Sequence, residues 1–122
     1  MSADADTTIN KVRRNSMNGV VEVTKENFKE EVLEKDYLVV IDFWATWCGP
    51  CQMLSPIVEE LSKEMEDVKF CKVNVDDQPE LAMQFGIKSI PTLVFMKNSE
   101  KVDLSIGLLS KEELEETIRR LK

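Results

Sequence analysis

The segment from Tyr37 to Cys51, YLVVIDFWATWCGPC, decides the fold. Its first seven residues are almost continuously apolar, as expected of a central strand covered on both faces, and a single carboxylate, Asp42, interrupts the run. After Phe43 the chain turns, and from Cys48 onward the apolar positions change period. Met53, Leu54, Ile57, Val58, Leu61 and Met65 recur at helical spacing, so a helix extends to about Glu66. Pro56 lies inside that helix and cannot donate to the carbonyl of Gln52. A buried strand feeding directly into a helix is half of a βαβ unit, and two cysteines sit at the junction.

Outward from this segment the same alternation continues. Val20–Val23 reads as a short strand, and Thr24 as the cap of a helix running to about Lys35, with Phe28, Val32 and Leu33 on one face. Downstream, Val68–Val75 is a third strand, and Pro79–Phe85 a short helix that begins with proline and stops at Gly86. Leu93–Lys97 and Lys101–Ile106 pair as a hairpin around Asn98-Ser99. Ser110 and Glu113 form a capping box for a last helix whose buried stripe is Leu114, Ile118 and Leu121. The order β-α-β-α-β-α-β-β-α describes one α/β domain over residues 19–122. Residues 1–18 are polar, lack periodicity and are expected to be a disordered tail, with Met17 a candidate alternative start.

Composition narrows the function. With 122 residues the chain suits one packed domain, and its net charge of −7 (23 acidic, 16 basic residues) repels phosphate backbones and anionic lipid heads, so nucleic acid is not an expected partner. No apolar run approaches the roughly 20 residues needed to cross a bilayer, and the first residues lack the apolar segment of a signal peptide. A soluble, cytoplasmic protein is expected. The chain has no histidine, so a closed zinc site would have to be built from its three cysteines alone, one ligand short, and catalytic proton transfer falls to thiols, a carboxylate or a lysine.

Cys48-Gly49-Pro50-Cys51 therefore reads as a redox pair, with a static disulfide or two inert core thiols as the weaker reading. Free backbone N–H groups and the positive end of the helix dipole favour an anion at the helix start, so Cys48 is expected to ionise readily and act as nucleophile. Cys51, one turn further in, is expected to be the more buried, resolving thiol. Pro50 suits the first helical turn. Cys71 is expected to be a core residue on the strand face opposite Phe70 and Lys72.

The stretch DFWATWCGPC, the later Ile90-Pro91-Thr92 and the isolated Gly107 before the last helix closely resemble the thioredoxin family, over a span from about Val20 to the C-terminus. The resemblance implies a thioredoxin fold, a central five-stranded mixed sheet flanked by four helices. It also implies protein-disulfide reduction through Cys48 and Cys51, with Gly-Pro between the cysteines marking reducing members and the redox-active disulfide replacing any bound cofactor. Trp47, Gly49 and Pro50 would rim the active site, and Ile90, Pro91, Thr92 and Gly107 would form the groove for a substrate's extended backbone. Pro91 would be cis, and Asp42 and Lys72 would make a buried charged pair behind Cys51. The implied partners are an NADPH-dependent flavoprotein thioredoxin reductase and disulfide-containing substrate proteins, including reductases and peroxidases that take electrons from a monomer. A binding module in which the groove and not the thiols carries function is the alternative. Gln52 stands where the family often has lysine or arginine, which makes the field at Cys48 less positive, and Ser99 replaces a frequent turn glycine, which is expected to weaken the hairpin turn.

Overall fold

The computed structural model describes residues 19–122. The expected tail at 1–18 lies outside these. Five strands form one mixed sheet in the order β1-β3-β2-β4-β5, where β1 is Val20–Glu22, β2 Val39–Trp44, β3 Lys69–Asn74, β4 Thr92–Lys97 and β5 Glu100–Ile106. β3 runs parallel to both β1 and β2, while β2–β4 and β4–β5 are antiparallel. Three α-helices, α1 (Gly49–Glu64), α2 (Pro79–Gln84) and α3 (Lys111–Leu121), join a π-helical segment, Lys29–Leu33, to make four helices in all.

Period-two alternation along the central strands sorts side chains onto two faces. Val40, Phe70, Leu93 and Phe95 pack with Leu54, Val58 and Leu61 of α1 and Leu114 and Ile118 of α3. Val39, Ile41, Phe43, Cys71, Val73 and Val94 pack on the other face against Phe28, Val32 and Leu81. Each such buried Leu, Ile or Phe contributes roughly 1.5–3 kcal/mol. Cys71 lies opposite Phe70, as the alternation requires, and burial pushes its thiol up to about 12, so it is inert as a nucleophile. The capping box of α3 forms as read, with Glu113 N–H donating to Ser110 Oγ at 3.1 Å and Ser110 N–H to Glu113 Oε1 at 2.8 Å.

Two local expectations change. Thr24 does not cap a helix: its N–H donates to the Asn27 side chain at 2.8 Å, and the backbone makes turns before the π-helical segment begins. Asparagine competes for the backbone in non-helical conformations, which delays the helix start. In the hairpin turn, Asn98 and Ser99 take φ of 54° and 68°, a region disfavoured for residues with a Cβ by roughly 1–2 kcal/mol. Ser99 offsets that cost with its hydroxyl, which donates to the Leu33 carbonyl at 2.6 Å, a contact glycine could not make.

Candidate active site

β2 delivers the chain to one end of the sheet, and Cys48 becomes the N-cap of α1 with extended backbone (φ −93°, ψ 112°). Its sulfur accepts from the Cys51 N–H at 3.2 Å, one of the helix-start donors that has no intrahelical partner. Cys48 and Cys51 form a disulfide with Cα atoms 5.2 Å apart. Both residues are buried, so the expected difference in exposure is slight, and the asymmetry lies in what each sulfur faces. Cys48 Sγ lies 3.7 Å from the Ile90 carbonyl oxygen, at the rim, whereas Cys51 borders the cavity that holds Asp42.

The residues expected at the rim split into those that present themselves outward and those that do not. Gly49 and Pro50 are exposed, and Trp47 is 70% exposed, with its indole N–H donating to Asp76 Oδ2 at 2.8 Å. Asp76, which no sequence pattern singled out, sits in a loop ordered by Asn74, whose side-chain oxygen accepts from the Asp76 and Asp77 N–H groups. The Ile90–Pro91 bond is cis, and Gly107 N–H donates to the Pro91 carbonyl at 2.8 Å, so these distant segments adjoin. Gly107 has φ of 96°, open to glycine but strained for other residues. Pro91 and Thr92 are buried, and the Thr92 hydroxyl donates to the Ser89 carbonyl at 2.7 Å, so Thr92 holds the turn. Beside the disulfide, Trp47, Val75, Ile87 and Ile90 line an apolar cleft of about 370 Å³.

Behind the disulfide, Asp42 is 4% exposed and shares a cavity of about 160 Å³ with Trp44, Cys51, Gln52, Ser55 and Lys72. Its Oδ1 and the Trp44 indole N–H have no hydrogen-bond partner. Burial pushes the Asp42 carboxyl up to about 7, against the opposing pull of the Lys72 charge. The expected buried ion pair is not formed. Asp42 and Lys72 are register partners in parallel strands, but Lys72 is only half-buried and its ammonium sits 5.7 Å from the Trp44 ring centroid. The long lysine stem carries the charge past the carboxylate onto the indole face. A different lysine of β3 makes the buried pair. Lys69, on the opposite face and 2% exposed, is bound to Glu31 of the π-helical segment. Alternation with Cys71 and Val73 places Lys69 on a covered face, a signal present in the sequence. Among the described residues no cluster of three or more Cys, Asp or Glu side chains could hold a metal ion.

The thioredoxin family model matches residues 19–120. Thioredoxin 1 of a Nostoc species is 45% identical over 105 residues, covering 85% of this chain and 98% of its own length, and the thioredoxin of Rickettsia prowazekii is 50% identical over 99 residues, covering 80% and 94%. Among solved structures, a thioredoxin of Malassezia sympodialis superposes with a TM-score of 0.75 at 42% identity, covering 84% of this chain and 90% of its own. A mutant thioredoxin from Halobacterium salinarum gives 0.80 at 33% identity, covering 86% and 92%. These relatives are matched over nearly their whole lengths, and the chain, with its Cys48–Cys51 disulfide and five-stranded mixed sheet, accordingly belongs to the thioredoxin family and is a thiol–disulfide oxidoreductase.

Proposed function

We propose that the chain works in the reducing direction, with Cys48 as nucleophile and Cys51 as resolving thiol. The unequal surroundings of the two sulfurs carry this reading: Cys48 caps a helix beside the Ile90 carbonyl and exposed Trp47, and Cys51 faces the Asp42 cavity. In the reduced protein the Cys48 thiolate attacks a substrate disulfide, forming a mixed disulfide and expelling one substrate thiolate, which takes a proton from water. Cys51 then gives its proton to the Asp42 carboxylate, directly or through water, and attacks Cys48 Sγ. The second substrate thiolate leaves and takes a proton from solvent, Asp42 gives up the proton it accepted, and the Cys48–Cys51 disulfide is restored. The substrate gains two electrons and two protons. A carboxyl whose pKa is near 7 suits this exchange, because it accepts and returns a proton near neutral pH.

Trp47, Gly49, Pro50, Ile90 and Gly107 form the docking surface for an extended substrate segment, and buried Pro91 and Thr92 support it from within. Lys72 acts on Asp42 through its field, without a direct ion pair. A flavoprotein thioredoxin reductase fed by NADPH returns the disulfide to the dithiol, and reductases and peroxidases in the cytoplasm are among the acceptors of a monomeric carrier. No helix among the described residues is long and apolar enough to cross a membrane. The test is covalent trapping. The variant Cys51→Ser is expected to accumulate complexes with substrate proteins that dissolve under strong reductant, while Cys48→Ser accumulates none. Trapping by Cys48→Ser alone would reverse the assignment, and trapping by neither would favour a groove-only binding module.

A further inference from the structure

We infer that Ser55 is a positioning residue for proton transfer, its hydroxyl linking the Asp42 cavity to solvent. The inference rests on the reading of Asp42 as acceptor of the Cys51 proton and adds the route by which that proton leaves. Asp42 is almost wholly buried, and the carboxylate Oδ1 and the Trp44 indole N–H both point to no partner within the protein. The cavity of about 160 Å³ beside the carboxyl accommodates a few water molecules at roughly 30 Å³ each. Helix α1 sets Ser55 four residues after Cys51, hence on the same face, and Ser55 lines the cavity while remaining exposed.

The other rim groups cannot carry a proton through. Lys72 is a cation with donors only. Gln52 commits its amide nitrogen to the Thr46 carbonyl at 3.2 Å, and an amide does not exchange protons readily near neutral pH. A serine hydroxyl donates and accepts at once. A proton taken from Cys51 Sγ by Asp42 thus passes to cavity water, which hands a proton to the Ser55 oxygen as that hydroxyl releases its own to bulk solvent, leaving Ser55 unchanged. The charged or titratable neighbours of Asp42 are Lys72 from β3 and Cys51 from α1; from β4 its register partner is apolar Leu93.

The experiment mixes the reduced protein rapidly with a peptide disulfide and follows the second step, release of the peptide from the transient Cys48 mixed disulfide, in single turnover across pH, in H2O and D2O. Ser55→Ala is expected to slow release about fivefold with a larger solvent isotope effect, and Ser55→Thr, which keeps the hydroxyl, to restore both. Formation of the mixed disulfide should be unaffected in either variant. The double variant Asp42→Asn, Ser55→Ala should be no slower than Asp42→Asn, since the two act on one path. If Asp42→Asn slows release and Ser55→Ala matches the parent in rate and isotope effect, the Ser55 inference falls and the reading of Asp42 stands. If Asp42→Asn releases at the parental rate, both fall.

Discussion

Asp42 and Lys69 lie in neighbouring strands, carry opposite charges and are 4% and 2% exposed, yet only one of them is paired. Lys69 reaches Glu31 and ties the π-helical segment to β3 on the face that holds Cys71. Asp42 faces α1, beside Cys51, with one oxygen unpartnered and its carboxyl moved up to about 7. A compensated buried charge specifies packing. An uncompensated carboxylate is costly to keep ionised, and that cost makes it a proton acceptor of useful strength beside a thiol. On the proposed mechanism the same desolvation serves structure at one position and chemistry at the other, and the presence of a partner decides which.

Removing the partner on the Lys69 side should give the largest effect. Glu31→Gln strands a buried ammonium, and because Glu31 is itself partly exposed the expected loss is about 3 kcal/mol, the lower end for a broken buried pair. Urea unfolding would measure it, and the rate of disulfide reduction should stay the same. Unchanged stability would mean that the pair does not tie the segment down. On the other side the sign reverses. The Asp42 pKa is raised from 3.8 to about 7 by folding, so between those values the folded state binds more protons than the unfolded state and stability falls as pH rises. Above pH 7 the whole penalty is present. Asp42→Asn removes it and should stabilise the protein by roughly 2–3 kcal/mol at pH 8, with the gain shrinking to little near pH 4, checked by melts across that range. A variant less stable than the parent at pH 8 would contradict the assignment of an uncompensated charge.

The sequence makes Asp42 conspicuous because a carboxylate in a continuous apolar run has to be explained, and the Cys-Gly-Pro-Cys junction locates the site without any structure. The five strands lie within two residues of their expected limits, since each is a short apolar or alternating run bounded by turn residues. What stayed hidden depends on side-chain reach and on loops. Lys72 and Lys69 both interrupt the same strand, and which of them meets a carboxylate is set by Glu31, far away in the chain and on a segment whose π-helical turns share the apolar repeat of an ordinary helix. Asp76 meets Trp47 through a loop with no periodicity to read, and the Ser99 hydroxyl is matched to Leu33 only once the sheet has formed. Ser55 looks like any exposed helical serine until the cavity beneath it is known.

In the proposed mechanism Asp42 is the group that takes the Cys51 proton. The most direct measurement is the pH dependence of substrate release from the transient Cys48 mixed disulfide, followed by rapid mixing and compared between the parent and Asp42→Asn. The parent rate should rise through an inflection near pH 7, as the carboxylate becomes available, and in Asp42→Asn the inflection should vanish and the rate above it drop about tenfold or more. The same inflection with the same amplitude in Asp42→Asn would show that the proton goes elsewhere and that the unpaired carboxylate is not the base.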